Sequence, residues 1–273
     1  MNTVNRVQPV ADFMPEPFDA IGFQIKDDAS YKALAEQAHQ LGALSKAHRP
    51  QGTLHGCCWS LGSGLEVWTV LYESSKGTFY ADCRPAFRGK RQVGFYPWEI
   101  LEYEEDGEAI VRGAVLDSPL ELMFALQNIT EINPLDFRER PITAALAGLA
   151  YRARVNARSG KPAFEPITDR SRKRRTTETD YIIRGKILSW REMHNPRTQE
   201  NLLWVDVDAD KIKIEVVINK ADLKGELKVG GWLSAETWLQ GHILNDRELM
   251  ARYEGVDREA TPGDWWAKLR RDH

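Results

Sequence analysis

Residues 181–219 read YIIRGKILSWREMHNPRTQENLLWVDVDADKIKIEVVIN. Three runs rich in β-branched and aromatic residues stand here: Tyr181–Trp190, Leu202–Asp208 and Lys211–Asn219. Each is short, β-rich and bounded by polar turn residues, and reads as a strand. In the third run Lys211, Lys213 and Glu215 alternate with Ile212, Ile214 and Val216, which predicts one wet face and one buried face. Gly185 sits in the middle of the first run, where a sheet can bend. Lys220–Leu227 then reads as a connector with room for one helical turn. Gly230-Gly231 marks a turn, and Trp232–Ile243 supplies the closing strands.

Working outward, residues 159–179 (SGKPAFEPITDRSRKRRTTET) have no hydrophobic period and carry the run Arg172-Lys173-Arg174-Arg175. A structureless run of that length inside a domain is unusual, so a boundary is expected here. Upstream, Pro141 is suited to the first turn of a helix whose buried stripe is Ile142, Ala145, Leu146, Leu149 and Ala153. Arg152, Arg154 and Arg158 would complement its C-terminal end near Gly160. Residues 53–126 read as an antiparallel sheet. Glu66–Tyr72 is a strand, Asp106-Gly107 joins two strands in a type I′ hairpin, and Leu120, Leu122, Phe124 and Leu126 keep a period of two. Phe18–Ile25 is expected as a first strand, followed by a helix with Tyr31, Leu34, Ala35, Ala38 and Leu41 inward and Gly42 at its end. The expected class is α+β: a loose arm over residues 1–17, an N-terminal antiparallel sheet with two helices over 18–158, a basic linker over 159–179, and a small β-barrel with a helical tail over 180–273.

The pattern of residues 180–244, short strands with a mid-strand glycine and a short connector before the closing strands, resembles the OB-fold, a small Greek-key barrel. The resemblance implies a binding face on the second and third strands. Trp204 could serve there as a stacking platform, and Lys211, Lys213, Arg184 and Lys186 could line a cationic groove for single-stranded nucleic acid or another polyanion. The same residues also fit barrel packing and a solvated face, and Asp206, Asp208 and Asp210 put negative charge on the second strand. A second candidate surface is Arg84–Trp98 (RPAFRGKRQVGFYPW), where Arg84, Arg88 and Arg91 are interleaved with Phe95 and Tyr96. Basic and aromatic residues together suit nucleic acid, sugar phosphates or a protein partner.

Catalytic signatures are scarce. The sequence has no P-loop, no G-x-G-x-x-G and no nucleophile elbow, because Leu61 precedes Gly62-Ser63-Gly64 where that motif needs glycine. The order of elements over residues 18–72 is loosely similar to one module of the glyoxalase-like metalloenzymes. That family's module usually begins with a ligand on its first strand, where this chain has DAIGFQI; by spacing, a metal-dependent enzyme here would use His55, Glu66 and Cys57 or Cys83. Three cysteines, Cys57, Cys58 and Cys83, do not make a disulfide framework. With 37 basic and 40 acidic residues in 273, the net charge of −3 argues against a basic coat protein. No apolar run is long enough to span a membrane and the first residues lack a signal-like core, so a cytoplasmic location is expected. The expectation is a non-enzymatic binding protein without metal or cofactor. Its partner would be single-stranded nucleic acid or protein, and Trp265-Trp266 would dock onto the body.

Overall fold

The computed structural model describes residues 16–132, 140–156, 160–168, 177–209 and 211–244. The protein is mostly β, with one antiparallel four-stranded sheet and one large sheet of ten strands. The small sheet takes β1 (Ala43–Arg49), β2 (Gly52–Gly62), β3 (Leu65–Ser74) and β4 (Gly77–Phe87) in sequence order. Helix α2 (Asp28–Leu41) packs on it through Tyr31, Leu34, Ala35 and Ala38. Asp27 caps this helix, accepting from Ser30 N–H, and the Ser30 hydroxyl in turn accepts from Asp27 N–H. Leu41, expected inward, is exposed. Gly42 ends the helix in an extended conformation, and it is glycine for space: a Cβ would meet Ala38 O at 2.6 Å and Cys57 C at 2.8 Å.

Phe18–Ile25 is not a strand. Glu16–Ala20 form a short helix, α1, and Gly22 at φ +85° turns the chain. The tertiary setting explains this. Phe18, Ala20 and Ile21 are buried, and Asn195, far along the chain, donates its side-chain amide to Ile21 O at 2.8 Å.

The large sheet contains two antiparallel three-stranded meanders. The first is β5 (Gln92–Tyr103), β6 (Glu108–Val115) and β7 (Glu121–Leu126); the second is β10 (Asp180–His194), β11 (Asn201–Asp208) and β12 (Lys213–Asn219). Each meander has a long strand associated with it, β8 (Ile142–Asn156) for the first and β14 (Trp232–Ile243) for the second. Each long strand pairs antiparallel with the first strand of its own meander and parallel with the last strand of the other. The two long strands also pair antiparallel with each other, from Ala144↔Ile243 to Asn156↔Trp232. The connectivity is therefore duplicated about the β8–β14 pair, a repeat that residue identities do not display.

The helix expected after Pro141 is β8. Ile142, Ala144 and Leu146 face the main core, whereas Ala147 and Leu149 face the core shared with α1, α2 and the small sheet. A strand buried on both faces is apolar at nearly every position, so it has no period to distinguish it from a buried helix. The Asp106-Gly107 hairpin joins β5 to β6 as expected, but through a 3-10 turn at Glu104–Asp106 closed by Gly107 at φ +64°, not a two-residue turn. Within the expected linker, β9 (Ala163–Pro166) pairs with β10. The sheet thus draws strands from both sides of residues 159–179. The chain between β12 and β14 makes one 3-10 turn at Lys220–Asp222 and a two-residue strand, β13 (Leu223–Lys224), which pairs with β8. Trp232–Ile243 is one continuous strand rather than several. The basic run 172–175, Asp210 and Trp265-Trp266 lie outside the described residues. Among those described, no helix is long and apolar enough to cross a membrane.

Candidate nucleic-acid interface

Lys186 is where β10 changes partners. It pairs with Trp232 of β14 on one side and with Asp208 of β11 on the other. Gly185 permits the crossing, since a Cβ there would fall 2.2 Å from Asp208 O. Directly opposed residues in an antiparallel ladder project to the same face. Lys186, Asp208 and Lys213 therefore form one outward row across β10, β11 and β12. Arg191, Trp204 and Val217 form another, farther along. Lys186, Lys211 and Lys213 are exposed, and Trp204 is half-buried. The Arg191 guanidinium lies 5.2 Å from the Trp204 ring centroid, within cation–π range.

Between these rows stand Asp206 and Glu215, paired across β11 and β12. The expected wet position of Glu215 is corrected: it is 2% exposed. The cause is the β4–β5 connection, residues 88–91, which crosses this face. Glu215 accepts from the Trp204 indole N–H at 2.8 Å and from the backbone N–H groups of Lys90 and Arg91. Gly89 allows the approach, as a Cβ there would lie 2.4 Å from Glu215 Oε2. Arg91 takes Asp206 in a two-pronged contact, Nε to Oδ1 at 2.7 Å and a second nitrogen to Oδ2. Hydrogen bonding to Asp206 raises the Arg91 pKa further and holds it charged. The two carboxylates are thus neutralised internally, while Lys186, Lys211, Lys213 and Arg191 remain at the surface.

At its far end the face is covered. Met193, Leu202 and Val217 pack in the core shared with α1 and the small sheet. Asn219 there donates to Asp19 O at 3.1 Å. The open part lies toward Lys186 and Lys213.

The structure brings Trp204, Lys186, Lys213, Lys211 and Arg91 to one region, with half-buried Arg184 adjoining on the β14 side. It does not bring Arg84, Arg88, Phe95 or Tyr96 there. Arg84 is buried, with Nη1 donating to Asp82 and to Gly107 O, each at 2.8 Å, and Nη2 to Gln127 O. Arg88 donates to Glu66 at 2.6 Å, with Glu131 at 3.8 Å. Burial pulls the Arg88 pKa down, but Glu66 and Glu131 outweigh this and leave it raised. Phe95 is a core residue packed edge-on against Phe124, with ring centroids 5.4 Å apart. Tyr96 is exposed on β5, which β8 separates from β12. By sequence the segment 84–98 is one candidate surface. It is the end of β4, a connector and the start of β5, so its side chains part to different environments.

The metal-ligand candidates His55, Cys57, Cys83 and Glu66 are held separately. His55 bonds Glu73 at 2.7 Å, Cys57 Sγ lies 3.1 Å from His39 Nδ1, Cys83 N–H donates to Tyr31, and Glu66 is taken by Arg88 and Trp68. Among the described residues no three His, Cys, Asp or Glu side chains converge as metal ligands would. Burial pushes up the pKa of all three thiols, which favours their unreactive protonated form.

The Arg91–Asp206 and Glu215 contacts escape sequence reading because they join residues more than a hundred positions apart. Gly89 was their only local sign. No curated protein matches the chain. Residues 174–241, about a quarter of the chain, are similar to a family described as a domain of unknown function, E. rectale gene description (DUF3881).

Proposed function

We propose that this is a non-enzymatic binding protein with an OB-like barrel whose outer face takes single-stranded nucleic acid. The pairings support the barrel. From β10 they run to β11, β12, β8, β14 and back to β10, antiparallel except at the β12–β8 step. A circuit of five strands is what a small Greek-key barrel requires. In this reading β8, which precedes the second meander in sequence, stands where the barrel needs its fifth strand. In the same reading, the duplicated connectivity gives β14 that role for β5, β6, β7 and β8.

The observation that carries the ligand reading is the withdrawal of Asp206 and Glu215 into contacts with Arg91, the 88–91 backbone and the Trp204 indole. It leaves Arg191 over the half-buried Trp204, and Lys186 and Lys213 exposed beyond the Asp206–Glu215 row with Asp208 between them, on a protein whose overall charge is negative. Cations beside an aromatic platform suit phosphates beside stacked bases.

The test is tryptophan fluorescence titration with a mixed-sequence single-stranded oligonucleotide at low and moderate salt. Quenching that weakens steeply with salt supports the reading, because bound cations displace condensed counterions. Lys213→Ala should weaken binding at every sequence and lower the salt slope by about one. No change at either salt removes the reading. Attention then passes to a protein partner at Tyr96, Trp98 and Leu116, exposed side chains near Glu99 and Glu121.

A further inference from the structure

We infer that the interface continues from β10 over β14 onto β8, with Trp232 as a second stacking platform and Arg184 and Arg154 as its cations. This rests on the nucleic-acid reading above and extends it to a ligand long enough to cross five strands.

The register carries the argument. The row that contains Lys213, Asp208 and Lys186 runs on through Trp232 to Asn156. The adjacent row joins Arg184, Ser234 and Arg154. All these positions lie on the outward face, with Arg154 exposed and Trp232 and Arg184 half-buried. Gly160 closes one side of the second platform. A Cβ there would stand 3.3 Å from Arg184 Cδ and 3.9 Å from Trp232 Cε3, and the adjacent Lys161 is exposed. Of the carboxylates on this part of the face, Glu236 is held by Arg152 at 2.7 Å, and Glu165 of β9 is exposed across Ile182 from it. Within the row itself Asp208 stands directly opposite Lys186 and Lys213. The surface therefore sets a second tryptophan among cations, as the first platform does, and Lys186 belongs to both. Four inter-strand steps at about 4.8 Å make a path of roughly 19 Å, long for a short oligonucleotide and natural for an extended single strand. Because β8 precedes the second meander in sequence, the residues matched by the family model do not contain the whole path.

The experiment uses the full chain and oligothymidylates of about 4 and about 12 nucleotides, the lower and upper parts of the usual site-size range. Arg154→Ala and Trp232→Leu are each compared with the unaltered protein by fluorescence anisotropy of the labelled oligonucleotide. The expected result is an affinity for the 12-mer lowered about tenfold by Trp232→Leu, as for the loss of one stacked base. Arg154→Ala should lower the salt slope for the 12-mer by about one. Neither substitution should change the 4-mer, which the Trp204 end can hold alone. Arg154 is exposed, so its replacement tests the path even if Trp232→Leu perturbs folding. A 12-mer affinity and salt slope unaltered by Arg154→Ala, or equal losses for both lengths, overturns the extension and leaves the first platform standing. Binding of neither length by the unaltered protein overturns the nucleic-acid reading itself. Equal competition by inorganic polyphosphate of matched charge overturns the stacking role of Trp232.

Discussion

Replacing Glu215 with alanine removes the acceptor for three donors at once: the Trp204 indole N–H and the backbone N–H groups of Lys90 and Arg91. Each buried donor left without a partner costs about 1–3 kcal/mol. The 88–91 connection can relax partly toward solvent, so the lower part of that range applies. Three donors then give about 3–5 kcal/mol, well beyond the roughly 1 kcal/mol of an average substitution. Glu215→Gln keeps the shape and one acceptor but presents an amide N–H₂ group to backbone donors, and should cost about 2–3 kcal/mol on the same scale. Lys213→Ala is the control, two residues away on the same face but exposed, and should stay within about 0.5 kcal/mol. Urea unfolding followed by tryptophan fluorescence measures all three, with the slope watched for constancy so that a shifted midpoint reports stability. The near-ultraviolet circular dichroism of Glu215→Ala should also lose intensity as the Trp204 ring loses its anchor. A Glu215→Ala midpoint indistinguishable from that of Lys213→Ala would refute the argument that the 88–91 connection is tied down on this face.

Three further outcomes follow from other parts of the fold. Burial first, and then nearby Cys83 and Tyr31, push the Tyr80 pKa far above its ordinary value. A raised folded pKa gives stability that is present below the unfolded value near 10 and lost as pH rises beyond it. Urea midpoints should therefore fall from about pH 10 upward, and less steeply in Tyr80→Phe. Arg84→Met leaves Asp82, whose pKa burial already raises, without its cation. The loss should reach about 3–5 kcal/mol at neutral pH and shrink on acidification, as the raised folded pKa favours the protonated acid. Gly113→Ala would put a Cβ 2.2 Å from the Tyr96 backbone oxygen, and overpacking against backbone should cost about 1–3 kcal/mol or more in thermal or urea unfolding.

Local chemistry was enough to find α2, the β5–β6 hairpin and the strands of the second meander, because α2 and β7 keep a period along the chain, Asp106-Gly107 marks the hairpin, and β11 and β12 are β-branched runs bounded by turn residues. Tyr31, Leu34, Ala35 and Ala38 mark the helix, while Leu122, Phe124 and Leu126 mark a half-buried strand. The strand positions of Lys186, Lys213 and Trp204 were legible for the same reason. Each lies on the outward face of a strand whose inward face is clearly apolar. Tertiary structure alone made Ile142–Asn156 a strand, since a segment buried on both sides carries no period, and its alanines let two cores approach it closely. It also decided the exchange of long strands between the meanders, because parallel pairing joins segments with no turn between them to announce it. The fate of Glu215 was likewise beyond sequence reading. Alternation marks it as solvent-facing, and only a connection more than a hundred residues upstream, crossing the sheet at Gly89, closes that face and turns a surface carboxylate into a buried acceptor.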